Sequence, residues 1–134
     1  MAIIRSEKAD IATSEDIVRV RQMVRNAAVR LSFSLVDQTK IVTAASELAR
    51  NTLEYGGGGT VIVEEMADHG RFGVQLVFED RGPGIEDLTR AMQDGFTSGS
   101  GLGLGLGGAK RLCNEFEIQS KPGEGTRVRV ARWK

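Results

Sequence analysis

The run FTSGSGLGLGLGGAKR, from Phe96 to Arg111, constrains this chain more than any other stretch. Glycine stands at 99, 101, 103, 105, 107 and 108. Inside a helix or strand each would cost ~0.5–1 kcal/mol against alanine, so a regular element is a poor use of this segment. Glycine at this density is kept where backbone must come very close to something, or must move. A loop whose bare N–H groups wrap a phosphate chain, and which runs into a helix start, meets both demands. Leu102, Leu104 and Leu106, set between the glycines, argue against a plain flexible linker, which would carry serine and glycine throughout. We read the run as a lid over a nucleotide, followed by a helix over 106–115.

Other glycine motifs fit less well. Gly103, Gly105 and Gly108 spell G-x-G-x-x-G, but a dinucleotide fingerprint follows a strand directly and opens a βαβ unit. Here DGFTSGS precedes it and only about 25 residues follow. No G-x-x-x-x-G-K-[ST] occurs, so a Walker-type loop is excluded. A ligand-free flexible loop is the plain alternative. The nucleotide pocket must come from elsewhere in the chain.

The 134 residues predict one domain, burying roughly two-thirds of its unfolded surface. Eighteen basic and eighteen acidic residues cancel, which argues against nucleic acid or an anionic membrane as partner. No apolar run reaches the ~20 residues of a membrane span and no signal peptide is visible, so a cytoplasmic protein is expected. The single cysteine, Cys113, lies in a helical pattern and reads as a buried structural thiol.

In order, residues 2–8 predict an edge strand. Thr13 or Ser14 offers an N-cap with acids in the first turn, and Ile17, Val20, Val24, Ala27, Ala28 and Leu31 recur at helical spacing, which predicts a helix over 14–31. Its Arg19, Arg21 and Arg25 make a solvated face or a partner surface. Asp37 is read as the cap of a second helix, with a stripe of Ile41, Ala44, Ala45, Leu48 and Leu53, ended by four glycines after Tyr55. Glu47, Asn51 and Glu54 share one face of it, which alone is consistent with a solvated polar face.

Strands follow at 60–66 and 71–80, joined through Gly70 in a hairpin that carries the only histidine, His69. The second strand ends in Asp80, and Gly82-Pro83-Gly84 makes a side-chain-free turn beside its carboxylate. A short helix over 86–93, the lid, its helix, and strands at 116–120 and 126–133 complete the chain. Adjacent strand pairs predict an α+β fold: a two-layer sandwich with a mixed, largely antiparallel sheet and helices on one face.

A helix with E-x-x-x-N (Glu47, Asn51), a strand end with D-x-G-x-G (Asp80, Gly82, Gly84) and a G-L-G-L-G lid, in that order, resemble the ATP-binding domain of the GHKL superfamily, the Bergerat fold. Through SELARNTLEYGGGG, EDRGPGIEDL and DGFTSGSGLGLGLGGAKRLCNEFEI the chain is most similar to the bacterial anti-sigma-factor serine/threonine kinases, of the type that switches the stressosome (RsbT). The resemblance implies ATP and Mg²⁺ as cofactors, with Glu47 as catalytic base and Asn51 as the Mg²⁺ ligand. It implies that Asp80 reads adenine beside Gly82 and Gly84, with Thr126 supporting an adenine-bound water. Gly101, Leu102, Gly103, Leu104, Gly105, Leu106 and Gly107 would close over the phosphates, with Lys110 adding charge. The implied partner is a STAS-domain antagonist that takes phosphate on serine or threonine, with a PP2C-type phosphatase or a sigma factor as a further contact. Thr97, Ser98 and Ser100 are loop hydroxyls or autophosphorylation sites. The alternatives are an anti-sigma factor of the RsbW and SpoIIAB type, or a module that uses ATP only to set its shape and sequester a sigma factor or phosphatase.

Overall fold

A computed structural model describes residues 1–85, 92 and 105–134. The chain runs β1 (Ala2–Ile11), α1 (Ser14–Arg30), α2 (Leu35–Glu54), β2 (Gly59–Asp68), β3 (Arg71–Asp80), α3 (Gly105–Arg111), β4 (Glu115–Lys121) and β5 (Gly125–Trp133). The helix expected over 86–93 and lid residues Gly101, Leu102, Gly103 and Leu104 lie outside the described residues.

The strands form one sheet in the order β1-β2-β3-β5-β4. Every pairing among the described residues is antiparallel, so the expected mixed, largely antiparallel sheet has no parallel pair there. β1 continues past the expected 2–8, because its register with β2 runs on to Ile11 opposite Gly59. β2 and β3 pair from Gly59↔Asp80 to Asp68↔Arg71, leaving His69 and Gly70 as a two-residue turn. Both have positive φ, at 49° and 82°, the backbone that a tight hairpin with right-handed twist requires.

Strand periodicity sends Val61 and Val63, then Val74, Leu76 and Phe78, then Val128 and Val130 to one face, where all are buried. Helices α1 and α2 cover that face through Val20, Val24, Ala27 and Ala28, and through Ile41, Ala44, Ala45 and Leu48. Each large side chain fully buried here contributes ~1.5–3 kcal/mol. The alanines let the two helices approach the sheet closely. α3 anchors on the same core by Leu106 and Ala109.

The caps explain the helix starts. Thr13 caps α1 with a capping box: its hydroxyl accepts from the Asp16 N–H, and the Asp16 carboxylate accepts from the N–H of Thr13 at 3.0 Å and of Ala12 at 2.8 Å. For α2 the expectation of Asp37 as cap is corrected. Ser34 is the cap, its hydroxyl accepting from the Asp37 N–H at 3.1 Å. The Asp37 carboxylate instead takes the Arg132 guanidinium on β5 at 2.5 Å, a contact 95 residues away that no local pattern reveals.

α3 ends at Arg111, short of the 115 expected, because the Asn114 N–H is already bonded to Ala131 in β5. Cys113 sits against the core edge, and burial pushes its thiol up to about 12. Among the described residues no helix is long and apolar enough to cross a membrane.

Candidate functional site

The C-terminal end of α2 carries two of the expected side chains and closes onto the third. The Asn51 carbonyl accepts the N–H groups of Tyr55 and Gly56 at 3.0 and 3.2 Å, turning the chain off the helix. That turn lays Gly56 directly against the Asp80 carboxyl. A Cβ on Gly56 would overlap the Asp80 side chain, standing 2.5 Å from Oδ2 and 2.6 Å from Cβ. Gly82 faces Gly56 in turn, and a Cβ there would come within 2.7 Å of Gly56 backbone atoms. Gly125, at φ 86°, would drive a Cβ into the Asp80 carbonyl. Gly56 thus packs its backbone on the Asp80 carboxyl, Gly82 packs on Gly56 and Gly125 packs on the Asp80 main chain, so none of these three positions puts a side chain beside the carboxylate.

Asp80 is held for use as an acceptor. Its Oδ1 takes the Gly82 N–H at 2.9 Å. Burial pushes its acidity weaker than an ordinary aspartate, opposed by the N–H groups of Gly82 and Thr126. Thr126 pairs with Asp80 across β3 and β5 and is buried. Its hydroxyl lies 2.8 Å from that of Ser120, and the Ser120 Oγ accepts the Ile85 N–H at 2.8 Å. The turn after β3 is fixed further by Tyr55, whose hydroxyl donates to the Gly84 carbonyl at 2.8 Å. Gly84 has φ 76°, and a Cβ on it would collide with Lys121 backbone, so a side chain is excluded there.

Glu47 lies one turn before Asn51 and is only 7% exposed. Its Oε1 accepts from Arg50 Nη1 at 3.2 Å, the one hydrogen bond to this carboxylate among the described residues, which compensates its burial. The Asn51 side chain is half-buried and makes no hydrogen bond among the described residues, which leaves its amide oxygen available. On α3, Leu106 and Gly107 are buried and Lys110 is exposed in the last turn. Leu106 is a core anchor, while Gly105 opens the helix at φ 57°. Gly101, Leu102, Gly103 and Leu104 are outside the described residues.

The structure thus brings Asn51, Asp80, Gly82, Gly84 and Thr126 to one end of the sheet, with Glu47 one turn up α2. Sequence reasoning missed Gly56, Gly125, Ser120, Tyr55 and Arg50. Gly56 was visible only as the first of four glycines ending a helix. The signal for Gly125 was its place just before the strand holding Thr126.

Residues 36–134 match the family model described as histidine kinase-, DNA gyrase B- and HSP90-like ATPase. The chain is 49% identical over 123 residues to the serine/threonine-protein kinase RsbT of Bacillus subtilis, covering 92% of each. It is 27% identical over 129 residues to an anti-sigma F factor of Thermoanaerobacter, covering 92% of this chain and 89% of that one. Among solved structures, a Mycobacterium tuberculosis protein with RsbU and RsbW domains superposes with TM-score 0.66 at 22% identity, over 96% of this chain and 31% of that longer one.

Proposed function

This chain belongs to the histidine kinase-, DNA gyrase B- and HSP90-like ATPase family, and from that premise we propose that it is an ATP-dependent serine/threonine kinase acting on a STAS-domain antagonist protein in bacterial partner switching. The observation that carries the proposal is the buried carboxylate of Glu47 on the same helix as Asn51, one turn apart. Nucleotide binding alone has no use for a buried acid there, and a buried acid costs stability unless it has work to do.

The residues fit ATP. Gly56 and Gly82 keep side chains away from the Asp80 carboxylate, which would accept the exocyclic amine of a planar base while the Gly82 N–H fixes the carboxylate's orientation. Thr126, its hydroxyl set by Ser120, would accept from a water beside the ring, while Ser120 is spent on Ile85, Gly125 and Thr126. Asn51 would hold Mg²⁺, an oxygen-preferring ion that leans on phosphates more than on protein ligands. When bound it would neutralise charge on the transferred phosphoryl group. Among the described residues no cluster of three acids, histidines or cysteines offers another cation site. Lys110 and the glycine run from Gly101 to Gly107 cover the phosphates.

Glu47 orients the incoming serine or threonine hydroxyl and takes its proton as the oxygen attacks the γ-phosphorus, the bond to the β,γ-bridging oxygen breaks and ADP leaves. Arg50 holds that carboxylate in place while no substrate is present. The kinase works in the cytoplasm, and a phosphatase of the PP2C type, or a sigma factor, is its further protein contact.

The test is Glu47→Gln with purified STAS-domain protein and labelled ATP. Phosphate transfer should fall by ~10²–10⁴-fold, with ATP affinity within a few-fold of wild type. Transfer at the wild-type rate would remove Glu47 from the chemistry. A wild-type protein that binds a sigma factor tightly but labels no STAS partner would make the chain an ATP-gated binding module.

A further inference from the structure

A groove of about 320 Å³ runs between α1 and α2, on the side of α2 where Glu47 opens. Arg21 and Arg25 line it from α1, and Thr43, Ser46, Glu47 and Arg50 line it from α2. Three guanidinium groups therefore meet one carboxylate. Elsewhere in the molecule arginines find acids: Arg19 holds Asp16, Arg30 holds Glu65, Arg129 holds Glu117 and Arg132 holds Asp37. Arg21 and Arg25 have no carboxylate or hydrogen-bond partner among the described residues.

The chain is neutral as a whole, so this surplus is local and points into a concavity. Valines continue the face at both ends of it. Val18 and Val29, 63% and 55% exposed, lie along the same side of α1 as Arg25. Leu35 and Val36, 72% and 62% exposed, open α2. Apolar ends around a cationic middle suit a folded protein surface with an acidic strip better than a small anion.

We propose that this groove seats an acidic segment of the protein substrate, whose carboxylates engage Arg21 and Arg25 and whose acceptor hydroxyl is thereby set against Glu47. Arg50 links the two halves. It already bonds Glu47, and an incoming carboxylate beside it gives the guanidinium a second acid to share. The groove then selects among hydroxyl-bearing proteins by the charge that flanks the acceptor, before any chemistry occurs. The identity of the occupant rests on the kinase function proposed above, whereas the anion preference of the groove does not.

Two measurements on the full chain separate these. The first is the amide NMR spectrum titrated with hexaglutamate, with hexalysine as control. Shifts should cluster on 21–25 and 39–50 and vanish in the Arg21→Glu/Arg25→Glu variant. The second is steady-state phosphorylation of the STAS-domain protein. Arg21→Glu/Arg25→Glu should raise its KM at least tenfold, with kcat within threefold and ATP affinity unchanged. Lys8→Glu/Lys134→Glu, equal in charge change but distant, should move KM less than twofold. Arg21→Gln/Arg25→Gln, which removes charge without reversing it, should give an intermediate rise if the reversed variant fails to fold. A KM unaltered in the Gln variant, or raised equally by the Lys8/Lys134 control, overturns the proposal. If wild type labels no STAS-domain protein, the kinase function falls and the hexaglutamate map alone decides the groove: shifts absent, or spread over other basic residues, would overturn it.

Discussion

Asp80→Asn separates the stability of the fold from its affinity for nucleotide, and the two should move in opposite directions. Asp80 Oδ1 is committed to the Gly82 N–H at 2.9 Å, while Oδ2 lies against the Gly56 backbone. Asparagine can keep the first contact by presenting its amide oxygen to Gly82. It then presents NH₂ where Oδ2 stood, so a donor meets the exocyclic amine of adenine. The lost contact is a hydrogen bond to a charged acceptor, worth ~1.5–3 kcal/mol, or roughly ten- to a hundredfold in Kd.

In the nucleotide-free protein the sign reverses. Burial raises the Asp80 pKa, so the folded state binds this proton more readily than the unfolded state does. Stability attributable to Asp80 therefore declines as pH rises from the ordinary carboxylate value through the raised one. Above that window a neutral amide relieves the burial, and the variant's apo melting temperature should equal or exceed wild type. Calorimetric titration with Mg²⁺–ATP and nucleotide-free melting at pH 5 and 7.5 measure both. At a hundred times its Kd, ATP should add ~2.7 kcal/mol to wild type, and at one shared concentration far less to the variant. An unchanged Kd, or an apo melting temperature that drops alongside affinity, would refute the assignment, because Asp80 would then be a structural residue.

Three further outcomes follow from other contacts. Asn51→Ala removes a side chain with no partner among the described residues, so apo stability should hold while Mg²⁺-dependent ATP binding and transfer weaken together; titrations with and without EDTA check this. Arg132→Gln removes the partner of Asp37 and a donor to the Leu112 carbonyl, which should cost about 1–3 kcal/mol in urea unfolding. Hydrogen bonding to Arg132 holds Asp37 below the usual carboxylate range, so its stabilisation is present above that range and lost as pH falls through the depressed value. The variant should accordingly show a shallower loss of stability between pH 5 and 2. Cys113, pushed up to about 12 by burial, is thiolate in roughly one molecule in ten thousand at pH 8. Ellman's reagent should leave it unreacted in the native protein and titrate it fully in guanidinium.

Local patterns in the chain carried the features that depend on local geometry. The stripe in α2 and the four-residue spacing of Glu47 and Asn51 follow from 3.6 residues per turn. The inward set Val74, Leu76 and Phe78 follows from the pleat, but Phe72 is 41% exposed, and Gln75 and Val77 on the other face are buried too, so the strand is not half-buried as its alternation predicts. The hairpin at His69-Gly70 needed only a residue tolerant of positive φ. Contacts made by folding were not legible in this way. Asp37 looked like a cap because it is an acid near the helix start, three residues after the true cap Ser34, and only the approach of β5 shows that Arg132 claims the Asp37 carboxylate. Gly56 and Gly125 had ordinary excuses as turn residues, and their proximity to Asp80 depends on α2 ending over the β3 terminus. Arg50 sat inside the motif unnoticed, since an i,i+3 pair with Glu47 matters only once Glu47 is known to be buried.

The sheet order explains why residues so far apart in sequence form one recess. β5 inserts between β3 and β4, which sets Thr126 opposite Asp80 and brings Ser120 alongside from β4. Had β4 paired with β3 instead, Asp80 would face β4 and lose Thr126 as its cross-strand partner. The crossover from β3 to β4 must then span the width of β5, and the segment that does so, 81–114, contains the glycine run. The glycine run therefore belongs, in sequence, to a connection that the topology demands. Leu106 and Ala109, at the far end of that connection, tether α3 to the core.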